Sequence, residues 1–493
     1  MKSFKYQVLF LVLFPVCLFG ALVAPELERK ESLDKVEREA GLLAAKIDEY
    51  MSAFVEIGMF NGSVLVAKDG NILTSKGCGV ANYEKNILNT PQTKFCIGSC
   101  TKQFTAAAIM ILQERGLLNV SDTVSKYIPD YFHGDEITIH HLLSHTSGIP
   151  NYTTMPGISK TKLPPSLEKI VDFFKQKPLK FTPGEKFEYS NSNYILLSLI
   201  IEKVSQQSFA LFMKENIFQP LNMVSTGFTY DSTDEKFAVG YFVEDGNLNR
   251  VYRIDMSFAY GDGNLMSTVE DLYLWDRALY TEKLFSKELR NKMFTLFTED
   301  YGYGLCIDEL FGHRHIWHDG ALNGFQTMFS RFIDDNICII VLSNAVNLFD
   351  PSIEKMRDGL AAIIFGEEYE LPKRRFSTRV AIGVDPEIYN QYVGTYKLEE
   401  GHIYSVTKEN TNLFVQASGG PKIQIYPESE TIFFLKVVDA QVSFVRDERG
   451  KVTKLILHQD GENEVAEKVL PVRPAAGKWQ RFKDFVKRVL GRG

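Results

Sequence analysis

The stretch that most constrains this chain is residues 99–117, where Phe104, Ala107, Ile109, Met110 and Leu112 give a helix apolar on nearly every side. Such a helix has no face to turn to water and must be enclosed by other elements. The enclosing shell is legible in chain order. Ser63 to Ala67, a turn at Asp69-Gly70 and Ile72-Leu73 predict a β-hairpin. Residues 120–230 read as helices joined by loops, and strand character returns in Tyr303–Ile307, Gln326–Ser330 and Ile337–Leu342. Strands at both ends with helices between them predict an α+β unit whose terminal segments share one antiparallel sheet. A helix over residues 26–58 precedes it, with Leu33, Val36, Leu43, Ile47, Met51 and Val55 at helical spacing.

The 493 residues suffice for two or three domains, each with its own core. The first unit spans 25–370, residues 371–386 with their Lys-Arg-Arg run read as a linker, and 387–470 holds short strands and turns of a small all-β barrel or sandwich. In the tail, 471–493, Trp479, Phe482, Phe485, Val486, Val489 and Leu490 share one helical face among lysines and arginines. That basic amphipathic helix either lies on an anionic membrane surface or docks on its own domain.

Residues 1–24 combine a basic start, an apolar run from Tyr6 to Ala24 and an abrupt polar turn at Pro25, which reads as a secretory signal peptide. The protein is therefore expected in the periplasm or outside the cell, with an uncleaved membrane anchor as the alternative. A net charge of −7 excludes a nucleic-acid partner, because phosphate binding needs a concentrated basic face. Five cysteines follow the signal, namely Cys78, Cys96, Cys100, Cys306 and Cys338, an odd number in a chain long enough not to need a disulfide framework.

A nucleophilic hydrolase needs a nucleophile, a base within hydrogen-bond reach and donors for the developing oxyanion. Ser99-Cys-Thr-Lys102 puts a hydroxyl and an amine one helical turn apart. The same spacing recurs at Ser32/Lys35, Ser166/Lys169, Ser352/Lys355 and Ser405/Lys408, all in charged or turn-like surroundings. Only Ser99 follows a short apolar run closed by Gly98 and opens the apolar helix, where backbone N–H groups are free to bind an anion. Serine at a helix start is also a common cap, but a cap explains the serine and not the lysine. Tyr189 and Asn191 precede a second apolar helix, Tyr194 to Ile201, as a proton-transfer phenol and an orienting amide, or as a packed tyrosine at a capped helix start. His318-Asp-Gly320 leads into a strand, and a glycine there admits close backbone approach. His313, His315 and His318 invite a zinc reading, but alternation splits them between two faces and no further ligand stands at a recognisable spacing, so neither a metal nor a cofactor is expected.

Taken in order, Ser99-Cys-Thr-Lys102, Tyr189-Ser-Asn191 and His318-Asp-Gly320 resemble the three motifs of the β-lactamase-related serine hydrolases, the class C and DD-peptidase branch in particular. Ile137 to Ile149, Gly261 to Thr268 and Gly62 to Val66 resemble the same family, and Tyr392-Val-Gly-Thr-Tyr396 resembles the lipocalin-like β-domain often fused behind it. The resemblance implies an antiparallel sheet flanked by helices with a helical subdomain beside it. It implies that Ser99 forms an acyl-enzyme, that Lys102 and Tyr189 share the proton work in an order left open, that the Ser99 and Ala321 N–H groups form the oxyanion hole, and that Asn191, His318, Gly320 and Ala321 contact substrate. His318 stands where many relatives carry lysine, and Asp319 where a hydroxyl is usual. That departure weakens a β-lactamase or carboxypeptidase and leaves a peptidase on D-amino-acid peptides, acting on a small-molecule or peptide substrate, or a carboxylesterase. A non-catalytic scaffold on this fold is the alternative outside the enzymes. The oligomeric state is not legible.

Overall fold

The computed structural model describes residues 35, 37–155, 166–228, 234–244, 247–251, 260–298, 300–322, 324–347, 352–372, 379–398, 403–417, 422–436, 440–459 and 462–469. The expected signal peptide (1–24) and basic tail (471–493) lie outside them.

Six strands form one antiparallel sheet: β1 (Gly62–Lys68), β2 (Asn71–Cys78), β3 (Cys306–Leu310), β4 (His313–Leu322), β5 (Phe325–Phe332) and β6 (Ile337–Ser343). Their order is β2-β1-β6-β5-β4-β3. The first strand pairs with the last along its whole length, Gly62 opposite Ser343 to Lys68 opposite Ile337, so the two ends of the unit do share a sheet. The β1–β2 hairpin turns on Asp69 (φ 53°) and Gly70 (φ 78°), the left-handed pair that a two-residue turn matched to strand twist requires.

Strand alternation divides the sheet's side chains between two cores. Val64, Val66, Ile339 and Val341 pack against Ile47, Met51 and Phe54 of α1 (37–56) and Met356, Leu360 and Ile363 of α5 (Ser352–Phe365). Leu65, Ala67, Ile340 and Leu342 face the other way, in one core with α2 (Thr101–Glu114), α3 (Asn191–Ser205) and α4 (Val269–Ala278). Every residue of α2 from Thr101 to Leu112 is buried, as its all-round apolar character demands. Asp276 of α4 and Arg331 of β5 are both fully buried and paired, Nε to Oδ1 at 2.9 Å. The Tyr280 ring covers that guanidinium at 4.6 Å.

One strand differs from expectation. Tyr303–Leu305 is not a strand, and pairing with β4 begins at Cys306. The cause is Gly304, at φ 74°, where a Cβ would lie 2.7 Å from the Lys102 carbonyl. The glycine turns the chain tightly over the first turn of α2 before the strand starts.

The C-terminal unit is a closed barrel of eight antiparallel strands, from Gly394–Leu398 to Glu462–Val469, the last pairing with the first. Closure leaves no sheet edge exposed. Tyr396, Tyr404, Val406, Val415, Phe433, Phe444 and Leu455 fill its interior. In the segment read as a linker, residues 373–378 lie outside the described residues, whereas the Ile382 N–H donates to Pro427 O at 2.9 Å and Val384 packs on the barrel core.

Candidate active site

Two close backbone approaches bring the nucleophile to the sheet. Gly98 is left-handed (φ 51°) and starts a 3₁₀ turn, Gly98–Cys100, that runs directly into α2. Ser99 thus sits in the turn ahead of the α-helix rather than capping it. A Cβ on Gly98 would lie 2.9 Å from the Ala321 nitrogen, and one on Gly320 only 2.0 Å from the Ile97 carbonyl oxygen. Both positions need glycine because the β4 backbone passes directly against the residues leading to Ser99. Cys100, which sequence reading left without a role, is buried and donates its thiol proton to the His318 carbonyl (3.0 Å), tying the turn to β4. Gly320→Ala must push the strand away from Ser99. We expect a loss of about 100-fold in turnover of an activated ester, since displacements near 1 Å cost that much, and the steady-state rate checks it.

Helical spacing then brings an amine to the serine. Lys102, one turn along and fully buried, places Nζ 3.0 Å from Ser99 Oγ. The same Nζ donates to Asn191 Oδ1 (2.8 Å) and to the backbone carbonyl of Asp262 (2.6 Å). Asn191 opens α3, with its amide nitrogen 3.4 Å from Thr153 Oγ1. From the segment before α3, the Tyr189 hydroxyl donates to Ser99 Oγ at 2.9 Å. Burial holds that phenol well above its ordinary range, with the Ser99 hydrogen bond opposing and the Asp319 charge adding to the rise. Ser99, Lys102, Tyr189 and Asn191, separated by up to 92 residues in sequence, therefore meet in one cluster: Lys102 and Tyr189 touch Ser99 Oγ, and Asn191 touches Lys102.

His145 is a group the sequence carried only inside a family-like stretch. Its ring lies 4.4 Å from the Tyr189 ring, centroid to centroid. Nδ1 accepts from the Ser190 N–H (3.2 Å) and the Asn193 amide (3.1 Å), which assigns the ring proton to Nε2. Burial first, then the charge of Lys102, drives its pKa well below the ordinary range, so it packs against Tyr189 as a neutral ring. Asp262 is a second such group, enclosed behind Lys102.

The third motif is arranged differently from expectation. His318 was expected against substrate, but it is buried, with Nδ1 donating to the Asp319 carbonyl (2.6 Å) and Nε2 3.0 Å from the Tyr301 hydroxyl. Both ring nitrogens have partners within the protein, and the ring braces Tyr301 against β4. Gly320 and Ala321 supply backbone at the site, and Ala321 is exposed. Asp319 is half-exposed, its Oδ1 3.6 Å from His318 Nδ1. The three histidines of the zinc reading have separate partners: His313 bonds Asp335, His315 bonds Asp308 and Ser330, and His318 bonds Tyr301. Among the described residues no three His, Cys, Asp or Glu side chains gather as a metal site.

Comparison with known proteins adds a second line of support. Residues 43–362 match the family model described as β-lactamase, and residues 378–469, the barrel, match one described as a domain of unknown function, DUF3471. Penicillin-binding protein 4* of Bacillus subtilis is 33% identical over 439 residues, covering 83% of this chain and 94% of its own. The octameric penicillin-binding protein homologue from Pyrococcus abyssi is similar at 28% identity and a TM-score of 0.60, over 86% of this chain and 98% of that one. A D-stereospecific amidohydrolase from Streptomyces shares 26% identity at a TM-score of 0.52, over 61% of this chain and 94% of its own. Since the family model spans more than half of the chain and the Bacillus relative aligns over most of both lengths, this chain belongs to the β-lactamase family and is a serine hydrolase of the penicillin-binding type.

Proposed function

We propose that this protein is an exported hydrolase that acylates Ser99 with D-amino-acid amides or short D-amino-acid peptides carrying a free amine, and releases the acyl group to water. The observation that carries this reading is Ser99 Oγ held between Lys102 Nζ at 3.0 Å and the Tyr189 hydroxyl at 2.9 Å. In this reading the Lys102 amine, 3.0 Å from Ser99 Oγ, takes the serine proton, and the Tyr189 phenol, which burial holds well above its ordinary range, acts as the donor. In acylation the Ser99 proton passes to Lys102, Oγ bonds the substrate carbonyl carbon, and the oxyanion lies toward the N–H groups of Ser99 and Ala321. Tyr189 then relays a proton to the leaving amine, and water attacks the acyl-enzyme by the reverse route. Asn191, whose Oδ1 is taken by Lys102, offers its amide nitrogen to the substrate carbonyl.

Asp319 favours an amine over a carboxylate. Its charge reaches Tyr189, and no lysine stands at the neighbouring position, which is His318. The name of the Streptomyces relative, a D-stereospecific amidohydrolase, points the same way. A substrate panel tests the reading: D-alanine p-nitroanilide, its N-acetyl form, p-nitrophenyl acetate and a chromogenic cephalosporin. We expect the free-amine D-substrate to exceed its N-acetyl form by about tenfold or more in kcat/KM, and Asp319→Asn to erase most of that preference. Equal rates for both forms, with the acetate ester turned over best, would replace this reading with a carboxylesterase.

A further inference from the structure

Asp262 stands apart from the rest of the site because its burial is poorly compensated by hydrogen bonds. It lies in the single helical turn Tyr260–Gly263 and is 4% exposed. Oδ2 accepts from the Tyr152 hydroxyl at 2.9 Å, whereas Oδ1 is buried without a hydrogen-bond partner. A buried carboxylate short of donors is costly unless a cation faces it.

The segment is fixed from both sides. The Gly261 N–H donates to Ser198 Oγ (3.0 Å), its carbonyl accepts from Thr105 Oγ1 (2.8 Å), and the Leu265 N–H donates to Thr101 Oγ1 (3.2 Å). A Cβ at Gly261 would lie 2.2 Å from Ser198 Oγ, so only glycine lets the turn wedge between α2 and α3. That wedge sets the Asp262 backbone carbonyl on Lys102 Nζ at 2.6 Å and the carboxyl within electrostatic reach of the same amine. The groups facing Asp262 are Lys102 from α2, Tyr152 from the turn Tyr152–Thr154, and Tyr189 ahead of α3; Tyr194 of α3 flanks the amine, its ring 5.5 Å from Nζ. Lys102 is the one basic side chain among these described groups.

We propose that Asp262 is the positioning residue of the base: its backbone carbonyl holds Lys102 against Ser99, and its enclosed carboxylate stabilises the ammonium that forms when the amine takes the serine proton. Ser99, Lys102 and Asp262 then form a relay in which the third group never touches substrate, as in other nucleophile–base–orienter sets. The balance is simple. The Oγ–H bond breaks, an N–H bond forms on Lys102, and the new positive charge is matched by the carboxylate already in place. Burial pushes the Asp262 carboxyl up from its ordinary range and the Lys102 charge pulls it back, as a mutually dependent pair requires.

Removing the charge makes two opposite predictions, which a packing role does not. Without the carboxylate, Lys102 loses its proton at lower pH, yet the ammonium formed in the transition state is less stable. The inference rests on Ser99 being the nucleophile but not on the substrate class, so the readout is labelling of Ser99 by a fluorophosphonate, followed by intact mass across pH. For Asp262→Asn we expect a labelling plateau lower by about 100-fold and a midpoint moved down by about one pH unit or more. The neutral amide relieves a buried charge, so the variant is expected to fold, with circular dichroism as the check. Tyr152→Phe, which removes the hydrogen bond to the Asp262 carboxylate, shifts the midpoint in the same direction by less and serves if Asp262→Asn does not fold. An unmoved midpoint in a folded variant, whatever its plateau, overturns the proposal. Absence of labelling in folded wild type would instead sink the reading of Ser99 as nucleophile.

Discussion

Ser99→Ala is expected to lower turnover by about five to six powers of ten, the scale seen when the nucleophile of a concerted serine site is deleted. The loss is chemical and not structural. Lys102 keeps its acceptors on Asn191 and the Asp262 carbonyl, and Tyr189 keeps its place against His145. Because Ser99 and Lys102 act as a unit, the double variant with Lys102→Ala should be no slower than either single change by more than a small factor. Steady-state rates on a p-nitrophenyl ester, with circular dichroism to establish folding, check both statements. Multiplicative losses would mean that the two residues act independently, which the 3.0 Å contact between them argues against.

The largest effect expected on stability lies away from the site. Asp276→Ala strands the fully buried Arg331 guanidinium, whose Nε now lies 2.9 Å from the carboxylate. Breaking such a pair from one side costs about 3–5 kcal/mol, because the remaining charge has nothing to replace its lost hydration. Tyr280 at 4.6 Å and Phe294 at 5.5 Å cover the guanidinium face and offer no counter-charge. Urea unfolding of the two single variants and of Asp276→Leu/Arg331→Met gives the comparison. The double variant should be closer to wild type than Asp276→Ala, since it strands no buried guanidinium, whereas Arg331→Met alone leaves Asp276 paired with Arg277. The pair joins α4 to β5, so its loss loosens the face of the sheet that carries β4 toward Ser99.

The clustering of the candidate catalytic residues was legible in the sequence for a local reason. Ser99, in the turn that leads into α2, and Lys102, in its first turn, are three residues apart beside a helix whose apolar character already requires burial, so spacing and burial together place an amine beside a hydroxyl. Tyr189 and Asn191 flank the start of another apolar helix. The groups that were missed are brought in by tertiary packing alone. Asp262 meets Lys102 across 160 residues through a one-turn helix with no periodic signature, and His145 meets Tyr189 through a left-handed residue at φ 57° in an irregular segment. His318 shows the complementary case. Its place on β4 was readable, but nothing local reveals that Tyr301 covers its ring. The strand expected at Tyr303–Ile307 failed at Gly304, whose conformation is dictated by the Lys102 carbonyl beside it. For the C-terminal unit, alternation gave short half-buried strands, while barrel and sandwich differ only in whether the first strand meets the last, a long-range pairing.

The central claim is that Ser99 is an activated nucleophile. Intact-protein mass after exposure to a fluorophosphonate, followed by peptide mapping, tests it most directly. The account predicts one adduct on wild type, located at Ser99, and none on Ser99→Ala. A folded wild type that takes no adduct, or an adduct that persists when Ser99 is alanine, would contradict it.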